Sequence, residues 1–167
     1  MDPTIRPMNS HGIVIEPARA ADASGVIALI GRVFDEYDFI WNPATEVPDL
    51  FDLESHYGGR RGAFWVARLD GQIVGSVGVE RLPDGRAELH RLYLDATLRG
   101  RGVGRALVEA VIGWCRAAGV QQLTLWSDTR FDRAHRLYEG MGFKKTGERE
   151  LPDDPNATRE FGYERAV

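Results

Sequence analysis

The sequence predicts an α/β (α+β) domain built on a mixed, mostly antiparallel sheet of six to seven strands flanked by helices. Three observations point to it. The apolar runs Phe64–Ala67, Ile73–Val79 and Ala87–Leu94 are separated by the turn signals Asp70-Gly71 and Pro83-Asp84-Gly85, which predicts an antiparallel meander. Val103, Ala106, Leu107, Ala110, Val111 and Trp114 then recur at helical spacing, with Gly119 as the stop. Beyond that point short strand and helix patterns alternate, which places helices against a sheet.

The remaining elements follow in order. Residues 1–11 are polar and contain proline, and predict a flexible leader ahead of a single domain over 12–167. Ile13-Val14-Ile15 is a short strand. Asp22 is placed to cap a helix reaching about Glu36, with Val26, Ile27, Ile30, Val33 and Phe34 on its apolar side. An irregular aromatic stretch carries Tyr37, Phe39, Trp41, Pro43, Pro48 and Phe51, and its prolines exclude one long helix. A second short helix is expected over Asp49–Tyr57, ending at Gly58-Gly59. After the central helix come a buried strand at Leu123–Trp126, a helix over Asp132–Glu139 closed by Gly140, and two strands, Phe143–Glu148 and Thr158–Arg165.

Composition narrows the function classes. The chain has 167 residues, 43% of them hydrophobic and 28% charged, which fits one globular domain. A net charge of −4 argues against a general nucleic-acid binder. Cys115 is the single cysteine, so no intrachain disulfide can form. The N-terminus lacks the apolar core of a signal peptide. No apolar run approaches the roughly 18 residues of a membrane span. A cytoplasmic protein with no membrane partner is the expectation.

The chemistry concentrates at Arg99-Gly100-Arg101-Gly102-Val103-Gly104-Arg105, a glycine-rich turn that feeds a helix start. Helix-start N–H groups lack intrahelical partners and carry partial positive charge, and glycine lets a ligand approach them. The turn is therefore a cradle for a phosphate or pyrophosphate. No Walker A segment exists in the chain. The dinucleotide fingerprint fits poorly, because the glycines are spaced two apart and follow an antiparallel meander. The pattern Arg-x-x-Gly-x-Gly is met by Arg99, Gly102 and Gly104.

With Leu89-His90-Arg91-Leu92-Tyr93-Leu94-Asp95 before it, this segment resembles the cofactor motif of the GNAT superfamily of acetyl-coenzyme A-dependent N-acetyltransferases. Ala134-His135-Arg136-Leu137-Tyr138-Glu139-Gly140-Met141-Gly142-Phe143 is similar to that family's closing Leu-Tyr…Gly-Phe signature. The resemblance covers nearly all of the chain from Ile13. It implies a sheet splayed at the cofactor site and acetyl-CoA as co-substrate. One departure is plain: where many members carry asparagine, three residues before Ala134, this chain has Phe131.

The resemblance also implies roles. The pyrophosphate would lie against backbone N–H groups from Arg99 to Arg105, with the arginine side chains adding charge. The pantetheine arm would add to the main chain of Leu92, Tyr93 and Leu94 as an extra strand does. Glu88, eleven residues before Arg99 as the base is in some members, is the first choice for general base, and His90 the second; a water relay is the alternative. Alternation puts Glu88, His90 and Leu92 on one strand face, unless a bulge shifts the parity beyond it. Tyr138 is the candidate acid for the departing thiolate. The acceptor side is expected at Tyr37, Phe39 and Trp41, with Trp126 and Asp128 near the cofactor sulfur, as an aromatic cage or an ammonium holder. No metal is needed, and the four histidines are scattered. The expected reaction is direct acetyl transfer to a primary amine of a small molecule. A protein N-terminal or lysine acetyltransferase and a non-catalytic acyl-CoA-binding module remain as alternatives. A homodimer is left open by the sequence. A lid over the aromatic stretch would favour a small acceptor, and an open groove a peptide.

Overall fold

The computed structural model describes residues 12–167; the expected leader, residues 1–11, lies outside them. The strands β1 (Ile13–Pro17), β2 (Gly62–Leu69), β3 (Gln72–Arg81), β4 (Ala87–Leu94), β5 (Gln122–Asp128), β6 (Lys144–Glu150) and β7 (Arg159–Ala166) form one sheet in the order β1-β2-β3-β4-β5-β7-β6. Only β4 and β5 run parallel; every other neighbouring pair is antiparallel. The helices are α1 (Ala23–Glu36), α2 (Pro43–Glu46), α3 (Leu53–Tyr57), α4 (Val103–Ala117) and α5 (Asp132–Gly140).

Local chemistry explains the elements. Asp70 and Gly71 both take positive φ, as the tight β2–β3 hairpin demands. The predicted helix over Asp49–Tyr57 divides into a 3-10 turn at Pro48–Phe51 and the short α3, because Pro48 opens a new turn. Asp22 does not cap α1 with its side chain. Its carboxylate instead accepts the Arg19 backbone N–H at 2.8 Å and pairs with Arg68 at 2.7 Å, closing the 3-10 turn that precedes the helix.

Apolar residues cover both sheet faces. On one, Leu107, Val108 and Val111 of α4 and Tyr138 of α5 pack with Val77, Val79, Leu89, Leu123 and Leu125 of the sheet. On the other, Val26, Ile30 and Phe34 of α1 pack with Leu50, Leu53, Tyr57, Phe64 and Val66. Each large side chain fully buried in these layers contributes about 1.5–3 kcal/mol of transfer free energy.

Two irregularities in β4 position the site. The first is a bulge. Ser76 pairs with Tyr93 and Gly78 with His90, so Val77 alone faces both Arg91 and Leu92. Arg91 takes φ 53° there, and the buried Ser76 hydroxyl donates to its carbonyl at 2.8 Å. The bulge changes the expected alternation: Leu89, Leu92 and Leu94 all meet the α4 layer, whereas Tyr93 meets the α1 layer. Leu92 therefore does not share the face of Glu88 and His90. The second irregularity is a splay. β4 and β5 pair only at Ala87–Leu123 and Glu88–Thr124, then part.

Candidate functional site

The splay opens two clefts. One, of about 460 Å³, is lined by Leu92, Tyr93 and Leu94 of β4, by Gly100, Gly102, Gly104 and Arg105, and by Tyr37, Phe131, Arg133, Ala134, Arg136 and Leu137. Gly100 and Gly102 take φ 79° and 81°, a left-handed conformation that bends the chain into α4. No side chain caps Gly102, so the first-turn N–H groups of α4 are left for an anion. A β-carbon at Gly104 would stand 3.3 Å from the Leu137 side chain, a tight contact that glycine avoids. The free β4 edge and the uncapped glycine turn fit a long, amide-containing phosphorylated cofactor.

The second cleft, of about 420 Å³, is lined by Glu88–Tyr93 of β4 and by Trp126, Ser127 and Asp128 of β5. It shares Leu92, Tyr93, Phe131 and Ala134 with the first. Phe131, the residue that departs from the family pattern, thus stands where the clefts meet. Its ring lies 4.9 Å from Tyr37 and 6.4 Å from Tyr93, centroid to centroid. The second cleft is polar and acid-rich: Glu46, Asp49, Glu80, Glu88, Asp128 and Glu160 line it, against Arg91 and Arg149.

A chain of hydrogen bonds crosses its floor. Arg91 donates to both carboxylate oxygens of Asp49, at 2.7 and 3.2 Å. Tyr57 donates its hydroxyl to Asp49 Oδ2 at 2.5 Å, and its oxygen lies 3.2 Å from His90 Nδ1. His90 Nε2 lies 2.8 Å from Glu88 Oε1, and Glu80 stands 3.7 Å from Nδ1. Burial works to raise the Glu88 pKa, but the His90 hydrogen bond and charge, with Arg149 and Arg86 behind it, leave it below the ordinary carboxylate value. Burial likewise opposes ionisation of Asp49, and Arg91 with Tyr57 outweighs it, so Asp49 is held low. Burial pushes the Tyr138 phenol well above 10 and keeps it protonated. Its hydroxyl makes no hydrogen bond among the described residues, and Tyr138 lines the same cleft.

The cleft is roofed. The segment after α1 and the β6–β7 loop meet above it, where Asn156 accepts the Ile40 N–H at 2.7 Å and donates to the Ile40 carbonyl at 3.0 Å. Arg130 reinforces the join, donating to the Asn156 carbonyl at 3.2 Å and stacking 4.0 Å over Phe39.

The expected site residues separate accordingly. Leu92, Tyr93, Leu94, Arg99, Gly100, Gly102, Gly104 and Arg105 gather in the first cleft, and Phe39, Glu88, Trp126, Asp128 and Tyr138 in the second. Tyr37 lines the first cleft rather than the acceptor side. Trp41 lines neither; it packs on Phe34 at 4.7 Å and over Gly31, as part of the α1 layer. Arg101 also lines neither, and the Val103 side chain is buried in the core, leaving only its backbone for a ligand. Arg99 is engaged by Glu36 through two contacts of 2.6 and 2.8 Å. Asp128 is held by Arg130 at 2.8 and 2.9 Å, so its charge is already paired. Arg133 and Arg136 were not foreseen; they face the first cleft because α5 presents positions three apart on one side. Asp49, Tyr57 and Arg91 were also missed, since no local spacing links them.

The model of the Acetyltransferase (GNAT) family matches residues 30–143, and the chain belongs to that family. N-acetylaspartate synthetase from Danio rerio is 37% identical over 113 residues, covering 66% of this chain and 40% of that protein. N-acetyltransferase 8F1 from Rattus norvegicus is 39% identical over 108 residues, covering 62% of this chain and 49% of that protein. The match thus spans less than half the length of either curated relative. The fold is shared with a GNAT family acetyltransferase from Staphylococcus aureus Mu50, at a TM-score of 0.82, 24% identity, and coverage of 92% of this chain and 98% of that one. Among the described residues no helix is long and apolar enough to cross a membrane.

Proposed function

We propose that this chain is an N-acetyltransferase that moves the acetyl group of acetyl-CoA directly to a primary amine of a small molecule. The observation that carries this reading is the meeting of the two clefts at Leu92, Tyr93, Phe131 and Ala134. A thioester laid along β4 from one side reaches an amine entering from the other. The Ile40–Asn156 join over the acceptor cleft supports a small acceptor over a peptide. So does similarity to a relative named for making N-acetylaspartate, an acetylated small amine. The acid-rich lining suits an acceptor that arrives as an ammonium.

The backbone of Leu92–Leu94 orients the cofactor arm, and the N-terminus of α4 holds its pyrophosphate, with Arg105, Arg133 and Arg136 at the rim. An alkylammonium has an ordinary pKa of about 10.4 and must lose a proton to become a nucleophile. Glu88, in contact with His90, is the base for that proton. Tyr138 Oη is the proton source for the departing sulfur. Holding both reactants in place contributes up to about 7–11 kcal/mol. Incubation with acetyl-CoA and a panel of small primary amines and peptides, followed by free-thiol release, tests the reading. Acetyl-CoA binding without amine-dependent release would assign a binding module instead.

A further inference from the structure

We infer that the acceptor carries a second cationic group besides the amine that is acetylated, and that Glu46 holds it. The acceptor is then a small diamine rather than an amino acid with acidic groups. The inference rests on the reading of the second cleft as the acceptor site, and deepens it.

The guanidinium groups of the second cleft are already engaged. Arg91 donates to both oxygens of Asp49 at 2.7 and 3.2 Å. Arg149 donates to Glu160 at 2.8 Å and lies 4.1 Å over the Trp126 ring. Arg130 donates to both oxygens of Asp128 at 2.8 and 2.9 Å. A carboxylate on the acceptor would therefore meet like charges and no unpaired cation in the lining, a costly juxtaposition.

The carboxylates do not balance in the same way. Asp49, Asp128 and Glu160 are taken by those arginines, and Glu88 by His90. Glu80 stands across from Glu88 in the β3–β4 register and 3.7 Å from His90 Nδ1, so its charge is directed at the same histidine. Glu46 remains. It ends α2, lines the cleft and is half-buried, and its carboxylate makes no hydrogen bond or ion pair among the described residues. Burial and the like charge of Asp154 push its pKa up, against the pull of Arg91, which already serves Asp49. A carboxylate in that state is stabilised by a cation that arrives with the ligand. Glu46 and Glu88 enter one cleft from different elements, α2 and β4. One molecule with two amines can meet both, its reacting nitrogen at Glu88 and its second ammonium at Glu46.

The test compares putrescine, a diamine, with butylamine, a monoamine of the same chain length, and with aspartate. Binding of each to the whole protein is measured by calorimetry without acetyl-CoA, and turnover by thiol release with it. The wild type is expected to bind putrescine about tenfold more tightly than butylamine or aspartate, the scale of one charge-assisted hydrogen bond. Glu46→Gln keeps the size of the side chain and removes its charge. It is expected to erase that preference, through KM rather than kcat, and to leave butylamine unchanged. No binding of putrescine, equal binding of the two amines, or tighter binding of aspartate by the wild type overturns the inference. So does an equal loss for both amines in Glu46→Gln, or a preference that survives Glu46→Gln and disappears in Glu80→Gln. A Glu46-dependent preference in binding with no amine-dependent thiol release upholds the inference and rejects the transferase reading. Equal acetylation of butylamine and putrescine does the reverse.

Discussion

Arg91 and Asp49, 42 positions apart in the chain, are joined by two charge-assisted hydrogen bonds on the floor of the second cleft. The pair anchors the 3-10 turn before α3 to the β4 bulge, where Arg91 holds a left-handed backbone conformation. The Ser76 hydroxyl takes the carbonyl that the bulge removes from the ladder. Asp49→Ala would leave Arg91 without its counter-charge in a largely desolvated place. It is expected to destabilise the fold by about 3 kcal/mol, measured by denaturant unfolding.

The same pair sets an acid limit. Asp49 has a folded pKa below its ordinary 3.8, so its contribution is fully present above that value and fades as pH falls through the folded pKa. Wild-type stability is therefore expected to drop between about pH 4 and pH 2 more steeply than that of Asp49→Asn, which has no proton to take up there. Parallel slopes in thermal unfolding across that range would show that Asp49 is not the group concerned.

Acetyl-CoA at a hundredfold over its Kd stabilises a protein by about 2.7 kcal/mol, which for a chain of this size is roughly a 5–10 °C rise in Tm. Gly102→Glu places a carboxylate in the cradle and is expected to abolish the rise. The mutation also puts a side chain at φ 81°, a strain of about 1–2 kcal/mol, so the variant's own Tm without cofactor is the reference for its shift. An undiminished rise in the mutant would move the pyrophosphate elsewhere.

Tyr138→Phe separates chemistry from binding. The variant keeps the buried ring but loses the only hydroxyl proposed as acid. We expect kcat to fall about 10²-fold, with acetyl-CoA affinity unchanged by calorimetry. Equal turnover would assign that proton to water.

The roof is open to direct test through Asn156. Asn156→Ala removes both hydrogen bonds to Ile40. KM for a small amine is expected to rise about tenfold as the cleft loosens, the equivalent of one net hydrogen bond. Turnover of a short peptide relative to a small amine is expected to increase. An unchanged ratio would mean that the roof does not select by size.

Much of this was legible in the chain. Asp70-Gly71 marks the hairpin, the apolar spacing from Val103 to Trp114 marks α4, and Arg99-x-x-Gly102-x-Gly104 marks the glycine turn into it, because each is set by local geometry. The bulge was not, since nothing in Glu88–Leu94 announces that Arg91 will turn left-handed. That conformation depends on Ser76 and Asp49, both distant in sequence. Trp41 was misplaced for a related reason: an aromatic residue in an irregular stretch signals burial, but which surface buries it is decided by Phe34 and Gly31 on α1. The Asp49–Tyr57–His90–Glu88 chain and the Ile40–Asn156 join are tertiary pairings, invisible to spacing. Phe131 was visible as a departure from a pattern, yet only the fold places it where the two clefts meet.

We propose that the two clefts, meeting at Leu92, Tyr93, Phe131 and Ala134, bring an amine to the acetyl thioester with Glu88 as its base. The most direct test is the initial rate of thiol release from acetyl-CoA against amine concentration, for the wild type and Glu88→Gln. Saturable, amine-dependent release is expected of the wild type, and a loss of about 10²-fold in kcat/KM of Glu88→Gln, with acetyl-CoA still bound. Release that ignores the amine, or equal rates for the two proteins, would contradict it.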